Sequence, residues 1–304
     1  MFSLEHEATV PVLISFWGKG GVGKTTLSSA LAVKLAERGY RVYLISTDFV
    51  PSLHDVLGVE FSDEPREVCN GVVAEQLTEE KIVQLWKERF GEEVYRVASS
   101  IFPVGREIID YVAGAPGIVE EFTLYYVWDK FHRINADFMV WDTMATGGGI
   151  RMLRIEKEFY EHLGDAAKLY LKLKGVIDKV RTGGAEPLEL IESWKRLASN
   201  ILEFLKSEQH RAVIVSRPLP VDFSVTRRVY AELSDAGIPV KAVIVNMVGD
   251  TVAEGAVLDA FNREFHGKAP LLLVPSVSPP PSGCERLKSI IESEQVEALL
   301  RKLL

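Results

Sequence analysis

The sequence predicts an α/β fold in which a mostly parallel sheet is covered by helices on both faces and carries an inserted helical subdomain. Three observations lead there. Short apolar runs at 10–17, 41–46, 137–142, 211–216, 240–246 and 270–274 alternate with helical patterns, as expected for strands buried on both faces by crossover helices. The first run passes through a glycine-rich turn directly into a helix. Two segments, 58–135 and 151–207, are too long for simple crossovers and are rich in helical periodicity.

The run Val10 to Trp17 reads as the first strand, and Leu27, Ala30, Leu31 and Leu35 mark one face of the helix that follows, ended by Gly39. In the first long segment, Thr78-Glu-Glu80 is an N-cap signal for a helix with Ile82, Leu85, Trp86 and Phe90 on one face; Ile118 to Phe131 then gathers aromatic residues on more than one face. In the second, Ile155 to Val180 steps by three and four, Thr182 to Pro187 breaks the pattern, and Ile191, Trp194, Ala198, Ile201 and Leu205 resume it. This organisation predicts a nucleotide-binding domain from 1–57, 136–150 and 208–304, with 58–135 and 151–207 as the inserted helical subdomain. A final helix is predicted from Cys284 to Leu304.

The turn between the first strand and helix is Gly18-Lys-Gly-Gly-Val-Gly-Lys-Thr-Thr26. Strand, glycine turn and helix are the setting of a P-loop, so the fold class sharpens to a P-loop NTPase. Gly18, Gly20, Gly21 and Gly23, with Val22 between them, let successive backbone N–H groups turn inward around a phosphate. The helix beginning near Lys24 aims its positive end at the same place. Lys24 is expected to reach the β and γ phosphates, Thr25 to ligate Mg²⁺ and Thr26 to bond the α phosphate.

Phosphoryl transfer asks for positioning and charge neutralisation, so acids at the carboxyl ends of neighbouring strands are the next candidates. Asp142 ends the strand Asp137 to Asp142 and reads either as the acid that holds Mg²⁺ through water or as a cap for the next turn. Asp48 follows the second strand and reads either as the residue that orients an attacking water, with a water-mediated link to Mg²⁺, or as an N-cap. Thr146-Gly-Gly-Gly149 has the freedom of a switch loop. Asn246, ending the strand from Val243, either reads the adenine edge through its amide or forms a turn. Lys19 sits too close to Lys24 to share one phosphate cradle without like-charge cost. That points it at a second nucleotide across a two-fold axis, in a homodimer.

Bulk properties exclude several classes. The chain has 304 residues and a formal net charge of −8, and Lys and Arg alternate with Glu instead of clustering, so no nucleic-acid partner is expected. Two cysteines, Cys69 and Cys284, form no Cys-x-x-Cys pair, so neither a disulfide framework nor a zinc site is expected, and a reducing cytoplasm is the predicted compartment. No run approaches the roughly 20 apolar residues that span a bilayer.

The P-loop string from Lys19 to Thr26 resembles the deviant Walker A of MinD/ParA-like ATPases, and three further strings resemble the ArsA-type branch of arsenite-pump and tail-anchored-protein targeting ATPases. That branch carries Ser-Thr-Asp-Pro-Ala-His-Asn-Leu-Ser-Asp where this chain has Ser46-Thr-Asp-Phe-Val-Pro-Ser-Leu-His-Asp55, and Asp-Thr-Ala-Pro-Thr-Gly-His-Thr-Leu-Arg where it has Asp142 to Arg151. Ala115-Pro-Gly-Ile-Val-Glu-Glu121 is similar to the segment before a client-binding helix, and Asn246 stands at the adenine-reading position.

The resemblance implies an ATP- and Mg²⁺-dependent homodimer in which Lys19 is the intersubunit lysine, Asp48 the switch I catalytic aspartate and Asp142 the switch II magnesium aspartate. It implies helical insertions that form a groove for a hydrophobic protein segment, delivered to a membrane receptor. The alternatives are a MinD/ParA-like positioning ATPase and an ATPase coupled to anion transport. The chain departs from the branch at Phe49, Val50, Pro51 and Gly148, which predicts slow hydrolysis. It also lacks the cysteines with which arsenite pumps bind metalloid, so arsenite stimulation is not expected.

Overall fold

The computed structural model describes residues 11–50, 52–62, 64–145, 149, 151–154, 158, 160–161, 186–249 and 252–290. Its eight-stranded sheet has the order β3-β4-β2-β5-β1-β6-β7-β8. The strands are β1 (Val12–Trp17), β2 (Val42–Ser46), β3 (Arg66–Cys69), β4 (Val72–Gln76), β5 (Phe138–Asp142), β6 (His210–Ser216), β7 (Val240–Val248) and β8 (Leu271–Pro275). Every pairing is parallel except β3 with β4. All five residues of β2 and of β5 are buried, as continuous apolar runs in a two-sided parallel sheet must be.

The helices are α1 (Lys24–Glu37), α2 (Leu53–Leu57), α3 (Glu79–Ile101), α4 (Glu107–Ala113), α5 (Ile118–Arg133), α6 (Glu186–Lys206), α7 (Pro220–Asp235), α8 (Val252–Phe265) and α9 (Cys284–Ile290). Thr78 caps α3 as its sequence predicts, its Oγ1 accepting from Lys81 N at 3.2 Å. The predicted apolar face of α3 is buried at Ile82, Trp86 and Phe90. Gly39, at φ 89°, follows the end of α1, where a left-handed residue closes a helix without a Cβ penalty. The helical periodicity from Ile155 to Val180 and the chain from residue 291 to Leu304 lie outside the described residues.

The chain forms two compact units. One contains the sheet and takes the described residues up to Leu77, from Phe131 to Gly149, and from Lys206 on; the other comprises Thr78–Lys130 and the described residues between Arg151 and Leu205. Residues 58–77, predicted as part of the helical subdomain, instead add two strands to the sheet. β4 pairs with β2 from Val42↔Val72 to Ser46↔Gln76, and β3 returns antiparallel at the edge. The edge strand is only four residues, Arg-Glu-Val-Cys, and its polar exposed positions hide it from an apolar-run reading.

A second correction concerns the cysteines. Cys69, at the end of β3, and Cys284, at the start of α9, are joined in a disulfide across 215 residues. No local spacing announces such a pair, because the two cysteines meet only once the sheet edge and the last described helix are assembled. Among the described residues no helix is long and apolar enough to cross a membrane.

Candidate functional site

Parallel register brings the carboxyl ends of β1, β2 and β5 level: Phe16 and Ser46 are both register partners of Asp142. The loop after β1 is held open as a cradle. A Cβ added to Gly18 would stand 2.2 Å from the Val215 carbonyl oxygen, and one added to Gly23, at φ 94°, would stand 2.3 Å from Asn246 Nδ2. Both positions therefore demand glycine for space, and Gly23 also for its left-handed backbone. Asn246 is buried, and its amide donates to the Val22 carbonyl at 2.9 Å, so it braces the P-loop from β7. Met247, next in the chain, sits at φ 58° with its side chain partly exposed.

Lys24 is buried and its ammonium bends back to the Lys19 carbonyl at 3.4 Å. Burial lowers its pKa, against the opposing pull of the Asp142 and Asp48 carboxylates. Thr25 Oγ1 donates to Asp142 Oδ2 at 2.8 Å and lies 3.1 Å from Ser52 Oγ; Ser46 Oγ donates to the same Asp142 oxygen at 2.9 Å. The other carboxylate oxygen, Oδ1, is buried with no hydrogen-bond partner among the described residues. Burial raises the Asp142 pKa to about 6, and the Thr25 and Ser46 hydroxyls and Lys24 only partly restrain it.

A buried carboxylate with an orphaned oxygen, beside a threonine hydroxyl, is what a hard cation such as Mg²⁺ completes. The donor set fits the ion that the sequence implies. Asp48 does not join this cluster by a hydrogen bond; its Oδ1 accepts from Val50 N at 3.2 Å, and it acts on Lys24 and Asp142 through its charge.

Two buried tryptophans back the site. Trp17 and Trp141 meet edge to face at 5.7 Å. Trp141 Nε1 donates to Thr47 Oγ1 at 2.9 Å, beside Asp48, while Gly149 lies against the Trp17 ring, where a Cβ would come within 3.1 Å. Gly148 and Pro51 fall outside the described residues.

The model of the anion-transporting ATPase family, ArsA ATPase, matches residues 12–262. The chain belongs to the ArsA ATPase family. This ArsA-family ATPase is 32% identical over 245 residues to the putative arsenical pump-driving ATPase 2 of Aquifex aeolicus, covering 77% of this chain and 79% of that one. It is 26% identical over 244 residues to the ATPase GET3 of Phaeosphaeria nodorum (76% and 74% covered). To the arsenical pump-driving ATPase of Escherichia coli it is 27% identical over 248 residues, 79% of this chain and 40% of the other.

The ArsA-family site includes residues that sequence reasoning did not single out. Ser46 and Ser52 flank Asp48 within the quoted switch I string, so their closeness to the acid was a usable signal. Asp222 and Arg217 were not signalled at all: Lys19 Nζ donates to Asp222 Oδ1 at 2.9 Å from 203 positions away, and Arg217 Nε donates to Oδ2 at 2.7 Å.

Proposed function

We propose that this ArsA-family ATPase is a Mg²⁺-dependent homodimeric switch whose helical unit captures a hydrophobic protein segment for handover to a membrane receptor. The supporting observation is an apolar cavity of about 400 Å³ within the helical unit, lined by residues including Trp86, Phe90, Phe102, Val112, Tyr125 and Trp194. Cavities of this size and lining take several large apolar side chains at once. The phosphate cradle and the Thr25–Asp142 pair supply the nucleotide half of the switch.

In this reading the backbone of Gly18, Gly20, Gly21, Val22 and Gly23 binds the phosphates, Lys24 neutralises the β and γ groups, and Thr26 bonds the α phosphate. Thr25 and Asp142 hold Mg²⁺, whose chemical contribution is to offset charge on the transferring phosphoryl group. Asp48 orients the attacking water, and Asn246, which braces the loop through Val22, is the residue that reads the adenine edge. Lys19 serves the nucleotide of the second protomer.

The family description and the arsenical pump names favour a second reading, coupling to an anion transporter. It does not extend to thiol-bound metalloid here, because Cys69 and Cys284 are spent on each other.

The test is co-purification of Asp48→Asn, which should hold ATP unhydrolysed, with a co-expressed protein ending in one hydrophobic segment and with the same protein lacking it. Segment-dependent capture supports the proposal. Equal capture of both, or of neither, with ATP binding intact, rejects the client role and leaves the transporter reading.

A further inference from the structure

Asp222 lies in the first turn of α7, two residues after Pro220, with its side chain fully buried. Its two oxygens are divided between two cations: Oδ1 takes the Lys19 ammonium at 2.9 Å and Oδ2 the Arg217 guanidinium at 2.7 Å. The helix turn that carries it is pinned, since Thr226 Oγ1 donates to the Asp222 carbonyl at 2.8 Å and lies 2.8 Å from Ser216 Oγ at the end of β6. Asp222 is therefore a fixed anion beside the P-loop. Lys19, by contrast, is on the loop and 38% exposed at its side chain.

We infer that Asp222 is a positioning residue that latches Lys19 onto its own protomer, so that Lys19 must exchange a carboxylate for a phosphate when nucleotide brings two protomers together. The inference rests on the reading of Lys19 as the lysine that crosses the dimer. The Asp222 carboxylate and a phosphate of the second nucleotide compete for the one Lys19 ammonium, so a tighter hold by Asp222 leaves less of it for the phosphate.

Exchange is feasible because Asp222 is not abandoned when Lys19 leaves. Arg217 still holds one oxygen, and the N-terminal N–H groups of α7 favour negative charge at that turn. Burial pushes the Asp222 pKa up, but the bonds from Lys19 and Arg217 outweigh it and hold the carboxyl below its ordinary value, so the latch stays charged at neutral pH. Arg217 tunes it: by sharing the carboxylate, it weakens the hold on Lys19.

The two neighbours of Lys19 thus predict effects of opposite sign. Asp222→Asn frees Lys19 and should lower the concentration of a non-hydrolysable ATP analogue, with Mg²⁺, needed for half-maximal dimerisation by about fivefold. Arg217→Gln leaves Lys19 as the sole cation on Asp222 and should raise it by about threefold. Without nucleotide, the rate at which an amine-reactive reagent labels Lys19, read by mass spectrometry, should rise in the first variant and fall in the second.

A merely structural ion pair would shift dimerisation the same way in both variants, and that result overturns the latch. So does unchanged dimerisation in both alongside the expected labelling changes. Arg217→Gln keeps the test open if Asp222→Asn does not fold. Lys19→Ala separates the two levels: dimerisation at the wild-type analogue concentration would overturn the crossing role of Lys19 itself, and the latch with it. Loss of dimerisation there, with Asp222→Asn and Arg217→Gln at wild-type values, overturns the latch alone.

Discussion

Ser46 and Asp142 are register partners on adjacent parallel strands, and the Ser46 hydroxyl donates to Asp142 Oδ2 at 2.9 Å. With Thr25 on the same oxygen, the carboxylate is satisfied on one side only. The metal-free protein therefore carries a poorly compensated buried charge. Because the folded pKa of about 6 stands above the ordinary 3.8, the folded state binds this proton more tightly. Stability from this group is complete below about pH 4 and is lost as pH rises through about 6. Asp142→Asn should thus be more stable than wild type in EDTA at pH 8, by up to about 3 kcal/mol at roughly 1.4 kcal/mol per pH unit. Urea melts at pH 5 and 8, with and without Mg²⁺, check it; equal midpoints for the two proteins at pH 8 in EDTA would refute it.

Asp48 stands apart from the Thr25–Asp142 pair and is half-exposed, a placement suited to acting on water and not to holding the fold. Asp48→Asn should reduce steady-state ATP hydrolysis by about a hundredfold or more while leaving nucleotide affinity within about threefold and the melting temperature unchanged. Single-turnover hydrolysis beside equilibrium binding of a fluorescent ATP analogue separates these. A parallel loss of binding would make Asp48 a ligand of the nucleotide instead.

Gly23 combines a left-handed backbone with a neighbour, Asn246 Nδ2, only 2.3 Å from where a Cβ would stand. Gly23→Ala should destabilise the protein by about 1–3 kcal/mol and abolish nucleotide binding. Asn246→Ala in the same chain would remove the clash but not the strain, so the double variant should recover stability only in part. Full recovery of binding in the double variant would show that the clash alone was at issue.

The P-loop and six of the parallel strands were legible because both signals are local: glycines with a lysine and a threonine at set positions, and short apolar runs with charge only near their ends. What was not legible depends on assembly. β3 is short and polar at the sheet edge, so its strand character comes from pairing with β4 and not from its own composition. Asp222 has no pattern linking it to Lys19, and the bond exists only because β6 neighbours β1 and delivers the start of α7 to the P-loop. Asn246 was read for its chemistry toward adenine; its brace on Val22 follows from the adjacency of β7 to β6.

The Cys69–Cys284 bond ties the sheet edge to α9, which packs on α1. Closing a loop of 215 residues restricts the unfolded chain, and chain entropy sets an upper bound of about 5 kcal/mol on the stabilisation. Cys284→Ser should lower the urea midpoint and should erase the difference between melts with and without reductant that wild type shows. If wild type shows no such difference, the bond adds nothing to stability.

The cavity in the helical unit is lined by small as well as large residues, Ala98 among them. Ala98 is on α3, partly buried, and lines the cavity, so a large ring there would put its bulk into space that a client side chain would use. Ala98→Trp adds on the order of 100 Å² or more of apolar surface and should fill part of the cavity while leaving every residue of the nucleotide site unchanged. Under the client reading it should reduce capture of a hydrophobic-segment protein by about tenfold while basal ATP hydrolysis stays within about twofold. A lining that serves only to pack the helices would respond differently. Filling it would change the melting temperature and leave capture as it was, and that pattern would remove the cavity from the functional account.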